Sequence, residues 1–209
     1  MDFRTRLVIY IASILLFVLT LVTIKRNYVW WTERTLWQDV VDKSPRLPAG
    51  HLNLARDYHL TGNSKVAIAE YQKAMRLAAD RLNQDGSDFR ARDILATAQT
   101  DLAALMLEAG DPADSETALV GALRLIPHFG PAEIMLGQLY LQQRRYMNVI
   151  SLTDDALEAH SWGAGFTQES QFYINKALAL CGIGNREMSN RAFDHAAAID
   201  PDIKPGVCR

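Results

Sequence analysis

The chain has 209 residues, a formal net charge of −2 and 49% hydrophobic residues. A near-neutral balance gives no electrostatic support for nucleic-acid binding, which needs a basic face. The two cysteines, Cys181 and Cys208, have no metal-ligand spacing, and by themselves they leave a disulfide open.

Residues 7–24 form an apolar run without a single charge. As a helix the run spans about 27 Å, close to the hydrocarbon thickness of a bilayer. Arg4 and Arg6 bracket one end, and Lys25 and Arg26 the other. Tyr28, Trp30 and Trp31 follow, where amphipathic aromatic rings suit the headgroup layer. These seven side chains are the expected membrane-interface contacts. A cleaved signal peptide needs small residues just after its apolar stretch. Thr23-Ile24-Lys25-Arg26-Asn27 offers no such pattern, and the segment has no polar face of the kind a soluble helix shows. The expectation is one uncleaved anchor over 7–26, preceded by a short flank at 1–6.

Beyond the anchor, alanine and leucine abound and period-two alternation of β-branched residues is almost absent, which predicts an all-α body. About 180 residues suffice for a substantial core in one or two domains. The first element, within 27–47, is a juxtamembrane helix over Thr32–Lys43. Next come Asn53-Leu54-Ala55, Tyr58, Gly62, Ala67, Tyr71 and Ala74. This spacing resembles the tetratricopeptide repeat, a 34-residue helix-turn-helix. A start at Pro48 places them on signature positions, and His51 and Ala79 depart where Trp and Pro are usual. A copy from Ala96 carries Leu102, Ala103, Met106, Gly110, Leu119, Ala122 and Pro127. One from Gly130 carries Leu136, Gly137, Tyr140 and Ala156, with Thr153 where an aromatic is usual. One from Ser170 carries Tyr173, Ala177, Leu180, Gly184, Phe193, Ala196 and Pro201, with Lys176 out of pattern.

The resemblance implies a right-handed helical solenoid over 48–203, made of repeats 48–81, 96–129, 130–163 and 170–203, then a tail at 204–209. Thr32–Lys43 resembles the second helix of a preceding half-repeat that caps the stack. Insertions fall at 82–95 and 164–169. The first predicts a longer loop and then a helix capped by Ser87 or Asp88, running toward Glu108. The second, Gly163-Ala164-Gly165-Phe166-Thr167, reads as a plain loop.

The junction is also informative. Arg26-Asn27, Trp30, Glu33, Leu36-Trp37, Asp39, Lys43-Ser44-Pro45 and His51 with Asn53-Leu54-Ala55 follow the span. Over residues 7 to 75 this is similar to the span-to-repeat junction of membrane O-mannosyltransferase-like proteins with tetratricopeptide repeats. That resemblance implies a repeat domain outside the cytosol. The catalytic spans of that family have no counterpart here, so no glycosyl-transfer role passes to any residue.

No nucleotide-binding loop, His-Glu-x-x-His pair or nucleophile motif occurs. Gly182-x-Gly184-x-x-Glu187 lacks the third glycine of a dinucleotide loop. The five histidines are dispersed, and Asp154-Asp155, Asp111 and Asp114 read as caps and solvated acids. The chain is expected to be no enzyme, with no cofactor and no metal site.

In the repeat architecture the first helices line a concave face. The expected partner-binding groove is Leu52, Asn53, Arg56, His59, Thr100, Ala104, Leu107, Ile134, Gln138, Leu141, Ile174 and Leu178. This stripe is mainly apolar, which suits a docked helix or extended hydrophobic segment rather than a terminal carboxylate. The alternative is that these side chains pack against one another.

The expected function is a membrane-anchored adaptor or scaffold for protein partners, themselves membrane-associated, with residues 7–24 in the lipid bilayer. Tethering a groove at the bilayer raises effective concentration for such a partner. It suits an accessory subunit of an extracytoplasmic complex. Two alternatives stand: a periplasmic chaperone-like factor near secretion or cytochrome maturation, and an accessory piece of a separately encoded membrane glycosyltransferase. The cations flanking the span leave orientation undecided. The family resemblance places the protein in the inner membrane with its body in the periplasm.

Overall fold

The computed structural model describes residues 2–159, 166–203 and 208. Among them the chain is all helical, without a strand. The helices are α1 (Phe3–Val29), α2 (Glu33–Lys43), α3 (Pro48–Leu60), α4 (Ser64–Gln84) and α5 (Phe89–Glu108). They continue with α6 (Pro112–Leu125), α7 (Gly130–Gln142), α8 (Tyr146–Ala159), α9 (Phe166–Gly182) and α10 (Arg186–Ile199). From α2 onward each helix packs on its neighbour in the chain, and α3, α5, α7 and α9 also touch in succession. This is the stacking of a helical-hairpin solenoid, in which each repeat contacts only its neighbours.

Local chemistry sets the helix boundaries. Pro48, Pro112 and Pro131 stand in the first turns of α3, α6 and α7, where a missing N–H costs nothing. Thr32 and Thr35 cap α2 reciprocally. All four hairpins close alike, with the residue after the turn donating its N–H far back into the first helix: Asn63 to Tyr58 O (2.8 Å), Asp111 to Met106 O (2.8 Å), Arg145 to Tyr140 O (2.8 Å) and Asn185 to Leu180 O (2.9 Å). The turn residue is left-handed each time. Gly62, Gly110 and Gly184 fill three of these places, and Arg144, at φ 57°, fills the fourth.

Small residues hold the hairpins together. Ala55, Ala67, Ala74, Ala96, Ala103, Ala122, Ala156 and Ala196 are fully buried, so paired helices approach closely. Leu119, Leu136, Leu139 and Val149 form the central core cluster with several of these alanines. A polar latch closes its edge: Arg145 donates to both oxygens of Glu116 (2.9 and 2.8 Å), lies 3.9 Å above the Tyr140 ring, and Glu116 also accepts the Tyr140 hydroxyl.

The longer loop expected at 82–95 is absent. Helix α4 runs to Gln84, α5 starts at Phe89, and only 85–88 lie between them. The extra residues lengthen both helices because Ala78, Ala91 and Leu95 bury together, flanked by Leu82 and Ile94. Asp88 is the N-cap, accepting the Ala91 N–H at 2.9 Å, while Ser87 bonds to Asp85 instead. At the second insertion, Phe166 and Thr167 belong to α9 rather than to a loop, and Gly163, Ala164 and Gly165 lie outside the described residues.

Candidate protein-interaction surface

The apolar helix comes first. Helix α1 is long and apolar enough to cross a membrane, and none of it is buried against the rest of the chain. A signal sequence meets the same description. Of the expected interface side chains, Arg4, Arg6, Lys25, Arg26, Tyr28, Trp30 and Trp31 are all exposed. Arg26 lies 5.7 Å over the Trp30 ring and 3.6 Å from Asp39 of α2. Residues 30–32 alone separate α1 from α2, and the Thr35 hydroxyl donates back to Val29 O at 3.0 Å. Helix α2 is in turn fixed to α3: Arg34 donates to Asp57 at 2.7 Å and lies 4.7 Å over Tyr58. The end of the apolar helix is therefore joined to the first hairpin through a short link and a set of charged contacts.

The predicted groove residues divide into three kinds. Leu52 and Thr100 are buried, at 6% and 2% exposure, and cannot be part of an open apolar stripe. The reason is direct contact between first helices: Leu52 packs with Ala98, Leu102 and Leu105 of α5. The Thr100 hydroxyl turns back to Ala96 O at 2.9 Å. Asn53, His59, Ala104, Leu107, Ile134, Leu141 and Ile174 are half-buried. Leu107 and Leu141 pack against the central core, and the Asn53 amide donates to Ala49 O at 2.9 Å. Arg56, Gln138 and Leu178 are exposed.

Polar bridges cross the seam where an apolar stripe was expected. Arg56 of α3 donates to Asp101 of α5 at 2.6 Å, and His59 stands 3.2 Å from Glu108. Beneath them the Tyr71 ring is fully buried, edge-on to His59 at 6.5 Å, with its hydroxyl unpartnered. Burial and the nearby Asp101 and Glu108 charges raise the Tyr71 pKa. Further along, the buried Asn175 amide of α9 donates to Ile134 O of α7 at 3.1 Å. The sequence pattern placed these side chains on first helices but held no sign of their pairing, because the partners lie about a repeat apart.

No group of His, Cys, Asp or Glu among the described residues is placed to hold a metal ion. Cys181 and Cys208 form a disulfide, with Cα atoms 5.5 Å apart, that ties the C-terminal segment to the end of α9. The Cys208 N–H also donates to the Asn190 side chain at 3.3 Å.

No protein-family model and no curated protein matches the sequence. Solved structures do match in fold. A MamA protein superposes with TM-score 0.54 at 18% identity, covering 85% of this chain and 86% of that one. A tetratricopeptide repeat protein from Parabacteroides merdae gives 0.52 at 19% identity, over 85% of this chain and 62% of its own. TTC0263, a thermophilic tetratricopeptide-repeat protein of Thermus thermophilus, gives 0.52 at 15% identity, over 80% and 81%. The body thus has the tetratricopeptide-repeat fold.

Proposed function

We propose that this chain is a membrane-anchored scaffold whose helical body binds a protein partner outside the cytosol, as an accessory or assembly subunit of a membrane complex. The observation that carries the reading is the joining of an unburied apolar helix to a repeat solenoid through residues 30–32. A body so tethered meets a membrane-bound partner at high effective concentration. The Cys181–Cys208 disulfide favours an oxidising compartment, since such bonds persist there and are rare in the cytosol. Exposed Gln138 and Leu178 offer the contact positions on α7 and α9 whose alteration spares the core.

The test has two arms. Protease added to intact, right-side-out membrane vesicles digests the body if it faces outward, and protection until lysis rejects that orientation. Co-isolation from gently solubilised membranes is then compared for the parent and a Gln138→Lys/Leu178→Glu variant. Loss of a stoichiometric partner in the folded variant is the expected result. Unchanged recovery moves the contact off these two helices.

A further inference from the structure

The first hairpin turn, between α3 and α4, lies beside the end of the apolar helix, and two adjacent residues of α2 bring them together. The Arg34 guanidinium donates to the Thr61 hydroxyl of the turn. The Thr35 hydroxyl donates to the Val29 carbonyl oxygen at the end of α1, at 3.0 Å. Arg34 also holds Asp57, in the last turn of α3, at 2.7 Å. The turn and the end of α1 are thus fixed to the same short stretch of α2.

Leu60 stands at this turn. At 88% it is the most exposed of the large apolar side chains among the described residues. Single exposed leucines are common on soluble bodies, and the surroundings set this one apart. Trp30 and Trp31, in the link that leaves α1, are exposed as well, and so is Val66 in the first turn of α4. From Tyr58 to Ala69 the chain has no Asp or Glu, while Lys65 is exposed. The second hairpin turn has the same backbone form and the opposite chemistry. Glu108, Asp111 and Asp114 flank it, and no large apolar side chain is exposed between positions 105 and 118. Of these two turns, the apolar, acid-free one is the one beside the anchor.

We propose that the first hairpin turn is a second membrane contact, with Leu60 entering the headgroup layer beside Trp30 and Trp31. The inference rests on the reading of α1 as a membrane anchor and holds for either orientation of the body. Three apolar groups then share the interface that α1 leaves, where aromatic rings are favoured and a leucine removes apolar area from water. Lys65 keeps its stem against this surface and its ammonium among the phosphates. No carboxylate of the turn has to approach those phosphates. Two contacts, one at the link and one at the turn, hold the first hairpin against the bilayer, so that the body does not swing about residues 30–32.

The chain has no free cysteine among the described residues, so one introduced thiol takes a single fluorophore while the native disulfide stays closed. Leu60→Cys, Ala109→Cys at the second turn and Val18→Cys within α1 are labelled in the full chain and placed in phospholipid nanodiscs. The discs contain lipids that carry a nitroxide quencher either just below the headgroup or deep in the acyl chain. The expected result is loss of fluorescence at 60 with the shallow quencher, loss at 18 with the deep one, and parent-level fluorescence at 109 with both. All three positions are exposed, and helicity checks that each variant is folded. Quenching at 18 with none at 60 overturns the proposal and leaves the anchor standing. No quenching at 18 overturns both. Equal quenching at 60 and 109 shows that the fluorophore itself seeks the lipid, and it overturns the assignment of the contact to the first turn.

Discussion

Arg56 on α3 and Asp101 on α5 meet at 2.6 Å, joining the first helices of two successive hairpins by a charged bridge. The bridge neutralises the cation that the groove would offer to a partner's carboxylate. It is also partly solvated, with 45% and 23% of the two side chains exposed. Exposed pairs of this kind contribute about 0.2–1 kcal/mol. Arg56→Ala is therefore expected to keep the fold and lower the melting temperature only slightly. A double-mutant cycle with Asp101→Ala checks this, and a coupling well above that range means the seam depends on the bridge.

Ala74 and Ala122 are each fully buried where the two helices of a hairpin touch. Leucine at either position forces methylenes into a filled space. The expected cost is about 1–3 kcal/mol per site. Thermal unfolding of Ala74→Leu and Ala122→Leu measures it. Parent-like stability in both contradicts the close approach of α3 to α4 and of α5 to α6.

The apolar helix and the helical-repeat fold were legible because both are short-range patterns: an uncharged run, and small residues recurring with a turn. Residues 85–88 were harder to read, since Gly86 and Ser87 look like a loop while the flanking residues continue two helices. The apolar stripe was misread for a different reason. A position on the inner face of one helix says nothing about whether the next first helix covers it, and Leu52 and Thr100 are covered. The pairing of His51 with both Glu70 and Pro45 joins α3 to α4 and to the link after α2, and left no local trace.

Arg144 holds the left-handed turn of the third hairpin at φ 57°, where glycine serves in the other three. An L-residue pays a steric penalty there that glycine avoids, partly offset by the greater freedom of glycine in the unfolded chain. Arg144→Gly is expected to stabilise the body by about 0.5–1 kcal/mol. Chemical denaturation gives the value. A loss of stability instead shows that the Arg144 side chain makes a contact worth more than the backbone strain.

Glu70 predicts a pH dependence. Burial pushes its carboxyl up, but the hydrogen bonds and charges of His51 and Lys73 outweigh this and leave it below its ordinary value of 4.5. A carboxyl lowered in the folded state contributes stability that is present above its unfolded pKa and is lost as pH falls through the folded value. Glu70→Gln is thus expected to be less stable than the parent at neutral pH. The gap closes as pH drops below 4.5, the value for the unfolded group. Unfolding midpoints measured across that window check the sign, and a gap that widens on acidification rejects it.

The Cys181–Cys208 bond links the end of α9 to the C-terminal segment across α10, a sequence separation of 27. A crosslink closing a loop of this size restricts the unfolded chain and contributes about 3 kcal/mol. The Cys181→Ser/Cys208→Ser variant should therefore unfold earlier by that amount under oxidising conditions. Adding a reductant should bring the parent down to the variant and leave the variant unchanged. The same pair reports on the compartment. Thiol blocking of the native protein at lysis, followed by reduction and a second label, should find both cysteines protected if the body lies outside the cytosol. Two free thiols in freshly blocked membranes argue that the body faces a reducing compartment, and they remove the support the disulfide lends to an outward orientation.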